Sequence, residues 1–239
     1  MYTLITGASS GIGAAIARRL GQERALILGG RDVAKVREAT GLGDDGRHLV
    51  WPYDLRDVDG IVPSLDTLLA EKQATVDCFV HCAGVVKVVP ARLNDPAMVQ
   101  EVMNVNVLSS IQVLCALLKK HNRAVLKNVL FISSTYSIRG VTGQAVYSAS
   151  KGALDAMMQS LAVELAPDVR VNSVLPGGVR TPMSEKAFSD PTHLEKMKKE
   201  YRLRLGEVDD VVNVVEFMLS GKSGWITGQK IIVDGGQTV

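Results

Sequence analysis

The sequence predicts a single α/β domain, residues 1–239, in which a parallel sheet of about seven strands is wound with helices on both faces. Three observations lead there. Short apolar runs of strand length alternate with stretches of helical periodicity along the whole chain, which is the order that parallel strands with crossover helices require. The runs are apolar almost throughout, as in Val129-Leu130-Phe131-Ile132, so they read as strands covered on both sides. Small and polar residues gather where the runs end, at the carboxyl edge where such sheets bind ligands.

Taken in order, Tyr2-Thr3-Leu4-Ile5-Thr6 is the first strand, and Gly7-Ala8-Ser9-Ser10-Gly11-Ile12-Gly13 follows it at once. Ala14 to Leu20 then has a helical pattern. Strand, glycine turn and helix together make a phosphate cradle: glycines let the backbone approach a pyrophosphate, and the helix start presents free N–H groups to its charge. Ala25-Leu26-Ile27-Leu28 is the second strand, ending at Gly29-Gly30-Arg31-Asp32 before a helix from Val33 to Ala39. A dinucleotide's adenosine ribose is read at this point, where an acid selects a free 2′-hydroxyl and an arginine accommodates a 2′-phosphate. Arg31 favours NADP over NAD, and Asp32 as cap of the next helix agrees with that reading.

His48 to Pro52 is the third strand. Asp54, just beyond it, reads either as an acceptor for an adenine amine or as the start of the helix over Val58 to Glu71. Val76 to His81 is the fourth strand, ending in Cys82-Ala83-Gly84, small enough for a cofactor to pass close. The pattern from Asp95 to Lys120 predicts one long helix carrying Asn104 and Asn106 in an apolar stretch, and a buried amide there must be paired, so one of them is expected to face a site.

The fifth strand ends at Ser133-Ser134, and a glycine-containing loop leads into a helix with Tyr147 and Lys151 four residues apart, on one face. A fixed positive charge beside a phenol lowers its pKa, which suits Tyr147 to general acid/base work, with the Ser134 hydroxyl placed to hold a carbonyl or alcohol oxygen. The helix runs through Leu154, Met158 and Leu165 at core spacing to Pro167. Val169 to Leu175 is the sixth strand, followed by Pro176-Gly177-Gly178. Residues 179–205 read as a mobile, partly helical flap whose charge run, Glu195 to Glu200, is its solvated face. A helix over Glu207 to Leu219 and a seventh strand, Lys230 to Val233, complete the chain.

Composition narrows the function classes. The net charge is +2 and the basic residues are scattered, so no nucleic-acid face is expected. No apolar stretch is long enough to span a membrane, and no basic segment with an apolar signal core opens the chain, which predicts a cytoplasmic protein. Cys78, Cys82 and Cys115 read as buried free thiols of a reducing compartment, the first two on one face of a strand. His48, His81, His121 and His193 lack metal-ligand spacing, so no metal site is expected.

With these residues in view, the chain resembles the classical short-chain dehydrogenase/reductase family, from Tyr2 to Gly236. Thr6 to Gly13 is similar to its TGxxxGxG loop, Asp54-Leu55 to its adenine contact, and Asn106 to its active-site asparagine. Ser134, Tyr147 and Lys151 match its catalytic set, with thirteen residues from serine to tyrosine. Pro176-Gly177 and Thr181 resemble the segment that holds the nicotinamide, and Trp225 to Gly236 its C-terminal signature. Two departures stand out. His81-Cys82-Ala83-Gly84 replaces the usual NNAG, so the asparagine that braces the sheet is missing, and Ser10 replaces the basic residue of many NADP-preferring members.

The resemblance implies a Rossmann-type fold and an NADP(H)-dependent carbonyl reductase or alcohol dehydrogenase acting on a small carbonyl or alcohol. Its cofactor contacts would be Gly7, Ser9, Ser10, Gly11, Ile12, Gly13, Arg31, Asp54, Leu55, Ala83, Gly84, Asn106, Tyr147, Lys151, Pro176, Gly177, Val179 and Thr181. Substrate would meet Ser134, Gln144, Tyr147 and Gly178. It further implies a homo-oligomer, tetramer or dimer, to which Leu108, Val113, Leu114 and Leu117 contribute either an interface or merely core. Among members, 3-oxoacyl-carrier-protein reductases look nearest, and Lys119, Lys120 and Arg123 are then either a carrier-protein contact or a solvated helix end. The rival reading is a cofactor-binding regulator or scaffold without turnover, against which the intact Ser134, Tyr147, Lys151 and Asn106 argue.

Overall fold

The computed structural model describes residues 1–42 and 46–239, and leaves the side chain of His193 outside the description. The elements are β1 (Tyr2–Thr6), α1 (Gly11–Leu20), β2 (Leu26–Gly30), α2 (Val33–Thr40), β3 (Leu49–Pro52), α3 (Ile61–Glu71), β4 (Val76–His81), α4 (Pro96–Met103), α5 (Ser109–Leu117), α6 (Lys120–Arg123), β5 (Asn128–Ile132), α7 (Ala145–Glu164), β6 (Arg170–Pro176), α8 (Glu185–Ser189), α9 (Pro191–Glu200), α10 (Val208–Leu219) and β7 (Lys230–Val233). The strands form one sheet in the order β3-β2-β1-β4-β5-β6-β7, every pair parallel. The strand order reverses direction between β1 and β4, which places the binding crevice at the carboxyl ends of those two strands.

Alternation along the strands builds two cores. Leu4, Phe79, Val129 and Phe131 face α3, α5 and α7, whereas Ile5, Val80, Leu130 and Ile132 face α1 and α10. Cys78 and Cys82 lie on this second face, as the alternation predicts, but of the three thiols expected to be buried only Cys78 is fully so: Cys82 is partly covered at the strand end and Cys115 is exposed on α5. Val113, Leu114 and Leu117 of α5 are buried in the first core, which decides between the two readings of these residues in favour of core packing.

Local chemistry sets several helix ends. Asp32 caps α2 by accepting from the Lys35 N–H at 3.2 Å, and Gly41 closes it at φ 65°, a left-handed turn that glycine adopts without strain. Asp95 accepts from the Met98 N–H at 2.9 Å to start α4, with Pro96 in the first turn. The Asp210 carboxylate accepts from the Glu207 N–H at 2.8 Å to start α10.

The expected single helix from Asp95 to Lys120 is corrected. It is broken at Asn104–Leu108 into a π-turned segment, and its continuation ends at Leu117. The winding change leaves carbonyls out of register, and two hydroxyls take them up: Ser109 Oγ donates to Val105 O at 2.7 Å and Ser110 Oγ to Val107 O at 2.6 Å. Buried Asn122 then ties the helix end to β4, donating to Leu117 O at 3.0 Å and to Val76 O at 3.1 Å. The helix expected from Val58 starts later, at Ile61, because Asp54 and Asp57 hold the intervening residues in turns.

Candidate active site

Because every strand runs the same way, the segments after β1, β2, β3, β4, β5 and β6 share one edge of the sheet. The glycine cradle forms the first wall. Gly7 has φ 72° and sits so close to the next strand end that a Cβ there would lie 2.7 Å from the Ala83 nitrogen. A Cβ on Gly13 would collide with the Gly7 carbonyl, and Gly11 has φ 53°. Ser10 stands at the helix cap without capping it through its side chain, and no acid occupies the first turn of α1. These features fit a pyrophosphate: close backbone, uncapped N–H groups and a helix start that favours negative charge. Ser9 lies in the same turn, and the Ile12 side chain packs into the second core.

At the ribose end, Arg31 is exposed just past β2; hydrogen bonds from Arg56 hold the Asp54 carboxyl below its usual value, and the Arg31 charge adds a smaller pull. Asp54 is thus committed to Arg56, at 3.0 and 3.1 Å from Nε, rather than starting a helix. A Cβ on Gly30 would lie 2.5 Å from Val36 Cγ2, so any side chain there would have to displace Val36. Leu55 packs against the first core.

Asn106 is fully buried in the π-turned segment. Its amide oxygen accepts from Val85 N at 2.7 Å, and its amide nitrogen donates to Val85 O at 3.0 Å and to Ser150 Oγ at 2.9 Å. Asn104 faces away, bonded to Gln100 and to Arg56 O. Gly84 lies between them and α7: a Cβ there would be 3.5 Å from both Asn106 Oδ1 and Lys151 Nζ. Lys151, nearly fully buried, donates to Ile132 O at 2.8 Å and lies 5.7 Å from the centre of the Tyr147 ring. Ser134, two residues past the end of β5, accepts from Tyr136 N at 3.1 Å, and its hydroxyl pulls the Tyr147 phenol pKa down. Asn106, Ser134, Tyr147, Lys151 and Gly84 therefore meet in one place.

The charge relation between Tyr147 and Lys151 differs from the expectation. Burial pushes the Tyr147 phenol up to about 12, against a downward pull from Ser134, and burial brings Lys151 down to about 8. Desolvation is the largest cause of both shifts, because the two groups are buried together.

Beyond β6, Val179 bridges to Gly206, closing residues 179–205 into a loop over the cradle. Thr181 packs on Gly11, where a Cβ would lie 3.3 Å from Thr181 Cβ, and Ser184 Oγ accepts from Thr181 N at 2.9 Å. Pro176 ends β6, and a Cβ on Gly177 would lie 2.9 Å from Asp234 Cβ. The Gly178 N–H donates to the Tyr201 hydroxyl. Gln144 is buried at the start of α7, with its amide oxygen free of any protein partner. Lys119 is ion-paired with Asp66, away from this edge.

Sequence reasoning missed Tyr136, whose ring stands edge-on to Tyr147 at 6.2 Å, and Tyr201 on Gly178. Tyr136 was signalled by its place two residues after Ser134. Tyr201 carried no local signal, since its partner is 23 residues away. Among the described residues, no group of three potential metal ligands occurs and no helix is long and apolar enough to cross a membrane.

This geometry has close counterparts. The family model described as enoyl-(acyl carrier protein) reductase matches residues 7–238. The chain is 34% identical to L-xylulose reductase of Bos taurus over 91% of this chain and 97% of that protein. It is 33% identical to 3-oxoacyl-[acyl-carrier-protein] reductase of Thermotoga maritima over 99% and 97%. A solved 4-hydroxyisoleucine dehydrogenase mutant complexed with NADH and succinate superposes with a TM-score of 0.92 at 27% identity, over 100% and 98% of the two chains. A glycine cradle that fits a dinucleotide, and relatives named as reductases and dehydrogenases across nearly the whole length, lead to one conclusion: the chain belongs to the short-chain dehydrogenase/reductase family and is an oxidoreductase that interconverts C=O and CH–OH groups with a nicotinamide cofactor.

Proposed function

We propose that the protein is an NADP(H)-dependent carbonyl reductase or alcohol dehydrogenase whose catalytic group is Asn106, Ser134, Tyr147 and Lys151. The observation that carries this reading is the buried cluster in which Ser134, Tyr147 and Lys151 come together, with Lys151 Nζ 5.7 Å from the centre of the Tyr147 ring and Gly84 beside Lys151 and Asn106. When bound, the cofactor supplies or removes the hydride at the substrate carbon. In the reductive direction, the Ser134 hydroxyl orients the carbonyl oxygen and Tyr147 gives it its proton. Lys151, one N–H already on Ile132 O, keeps two for a ribose and a water. Asn106 holds the Val85 backbone beside them.

NADP is favoured by Arg31 with Arg56 nearby and by a Gly30 position that carries no acid and is crowded by Val36. The cradle residues Gly7 to Gly13, Asp54, Leu55, Ala83 and Gly84, with Pro176, Gly177, Val179 and Thr181, would line the cofactor. Gln144, with its unpartnered amide oxygen, and Gly178 would meet substrate. Residues 179–205 would act as the flap of a single catalytic domain. A 3-oxoacyl-carrier-protein substrate agrees with the likeness to the Thermotoga maritima enzyme, although Lys119 is engaged by Asp66 and so favours the solvated helix end over a carrier contact. We further infer a cytoplasmic homo-oligomer, dimer or tetramer, for which edge strand β7 with exposed Ile232 and Trp225 offers a pairing surface. The test is consumption of NADPH and of NADH over a panel of ketones, aldehydes and 3-oxoacyl thioesters, beside cofactor binding by fluorescence. Turnover with preference for NADPH is expected; binding without consumption across the panel would favour a regulator or scaffold.

A further inference from the structure

Asp155 lies on α7 one turn beyond Lys151 and is almost completely buried, yet the catalytic reading gives it no part. A buried carboxylate is costly unless its oxygens are hydrogen-bonded. Here Oδ2 accepts from the Ser137 hydroxyl at 2.6 Å, a length typical of a charge-assisted bond, whereas Oδ1 has no hydrogen-bond partner among the described residues. An apolar residue at this place on α7 would avoid that cost. What it could not make is the bond to Ser137.

Ser137 closes the short 3₁₀ turn Thr135–Ser137 that follows Ser134. Its N–H donates to Ser134 O at 3.0 Å, and the Ser134 hydroxyl accepts from Tyr136 N at 3.1 Å, so the turn is folded around Ser134. The Ser137 hydroxyl also stands 2.8 Å from Ser134 O. It has a single proton, and Ser134 O is already supplied by the Ser137 N–H, which leaves that proton for Asp155 at the shorter distance. The bond joins this turn to the helix that carries Tyr147 and Lys151. Before Ser134 the chain is tied to the same helix as well: Lys151 Nζ donates to Ile132 O at 2.8 Å, and the Ser133 hydroxyl donates to Lys151 O at 3.2 Å. Ser134 therefore sits between two attachments to successive turns of α7, and Asp155 makes the second.

We propose that Asp155 is a positioning residue: through Ser137 it fixes the turn that follows Ser134 against α7 and so sets where the Ser134 hydroxyl stands relative to Tyr147. The proposal rests on the reading of Ser134 as part of the active site, and Asp155 acts through Ser137 rather than on substrate. Without this bond the attachments at Ile132 and Ser133 remain, so the sheet and the cofactor cradle stand while the Ser134 hydroxyl loses its fixed place.

Three variants separate the bond from the charge, which also lies near enough to Lys151 to oppose the burial that lowers it. Ser137→Ala removes the bond and keeps the carboxylate, Asp155→Asn keeps an acceptor oxygen and removes the charge, and Asp155→Ala removes both. Ser137→Ala and Asp155→Ala should each lower kcat about tenfold, with cofactor affinity by fluorescence titration changed less than about twofold, and Asp155→Asn should recover most of that loss. Native kcat in Ser137→Ala or in Asp155→Ala, or an Asp155→Asn variant as slow as Asp155→Ala, would overturn the proposal; should Asp155→Ala not fold, Ser137→Ala against Asp155→Asn decides in the same way. In a Ser134→Ala background a residue that acts through Ser134 has nothing further to lose, so adding Asp155→Ala should change kcat less than about twofold. A further tenfold fall there would show general damage to the site and would also overturn it. Native kcat in Ser134→Ala alone would instead defeat the active-site reading, and the bond is then judged without turnover. Amide hydrogen exchange at Tyr136 and Ser137 should quicken about tenfold in Ser137→Ala and Asp155→Ala and stay near the parent rate in Asp155→Asn. Exchange unchanged in all three would refute the attachment itself.

Discussion

Asn106 engages both backbone groups of Val85, accepting its N–H at 2.7 Å and donating to its carbonyl at 3.0 Å, so a side chain 21 residues away satisfies the backbone of the loop that leaves β4. Replacing it leaves two partly buried backbone groups unpaired, each costing about 1–3 kcal/mol. Asn106→Leu should therefore lower the melting temperature by several degrees and reduce kcat, checked by thermal denaturation and by steady-state kinetics.

Tyr147→Phe removes the phenol oxygen while keeping the ring against Tyr136 and beneath Lys151. The rate should fall by about 10²–10⁴, the range a general acid contributes, with cofactor binding nearly unchanged. Near-native turnover in this variant would end the assignment of Tyr147.

Arg31→Ala tests cofactor choice. A hydrogen-bonded charge pair with a 2′-phosphate contributes about 1.5–3 kcal/mol, so KM for NADPH should rise about tenfold or more while KM for NADH changes little. Parallel changes for both cofactors would show that Arg31 does not read the phosphate.

Lys151 has its folded-state pKa brought down from 10.5 to about 8. Between those values the unfolded chain binds the proton more readily than the folded chain, so this group makes stability rise with pH from about 8 to 10.5 and imposes its full penalty below that interval. Lys151→Met removes the burial cost. Its stability relative to the parent should be most favourable near pH 7 and should fall back as pH approaches 10, measured by urea midpoints across that range. A constant difference would contradict the direction of the shift.

Gly178→Ala would place a Cβ 2.5 Å from the Tyr201 hydroxyl and 2.8 Å from Met197 Cε, both reached from α9 and the residue after it. The end of residues 179–205 must move outward. A several-fold higher KM for the carbonyl substrate, with cofactor affinity less affected, is expected from fluorescence titration and initial rates.

Strand and helix alternation, the cap at Asp32, the glycine turn and the pairing of Tyr147 with Lys151 on one helical face were legible in the sequence, because each depends on neighbours within a turn or on a period of two or of 3.6. The ordered spacing from Gly7 to Gly236 carried the family as well. Other features depend on residues far apart in the chain. The π-turned break at Asn104–Leu108 lies where Asn106 finds partners across the fold, at Val85 and Ser150. The upward shift of Tyr147 and the downward shift of Lys151 come from burial, which no local pattern measures and which overrode the attraction expected from their spacing. The Thr6 to His81 hydrogen bond spans 75 residues, and the Tyr201 to Gly178 contact spans a whole excursion of the chain. Periodic apolar order thus determined which segments become strands and helices, while desolvation and contacts made only after the sheet assembles decided the electrical state and the bracing of the groups at its edge.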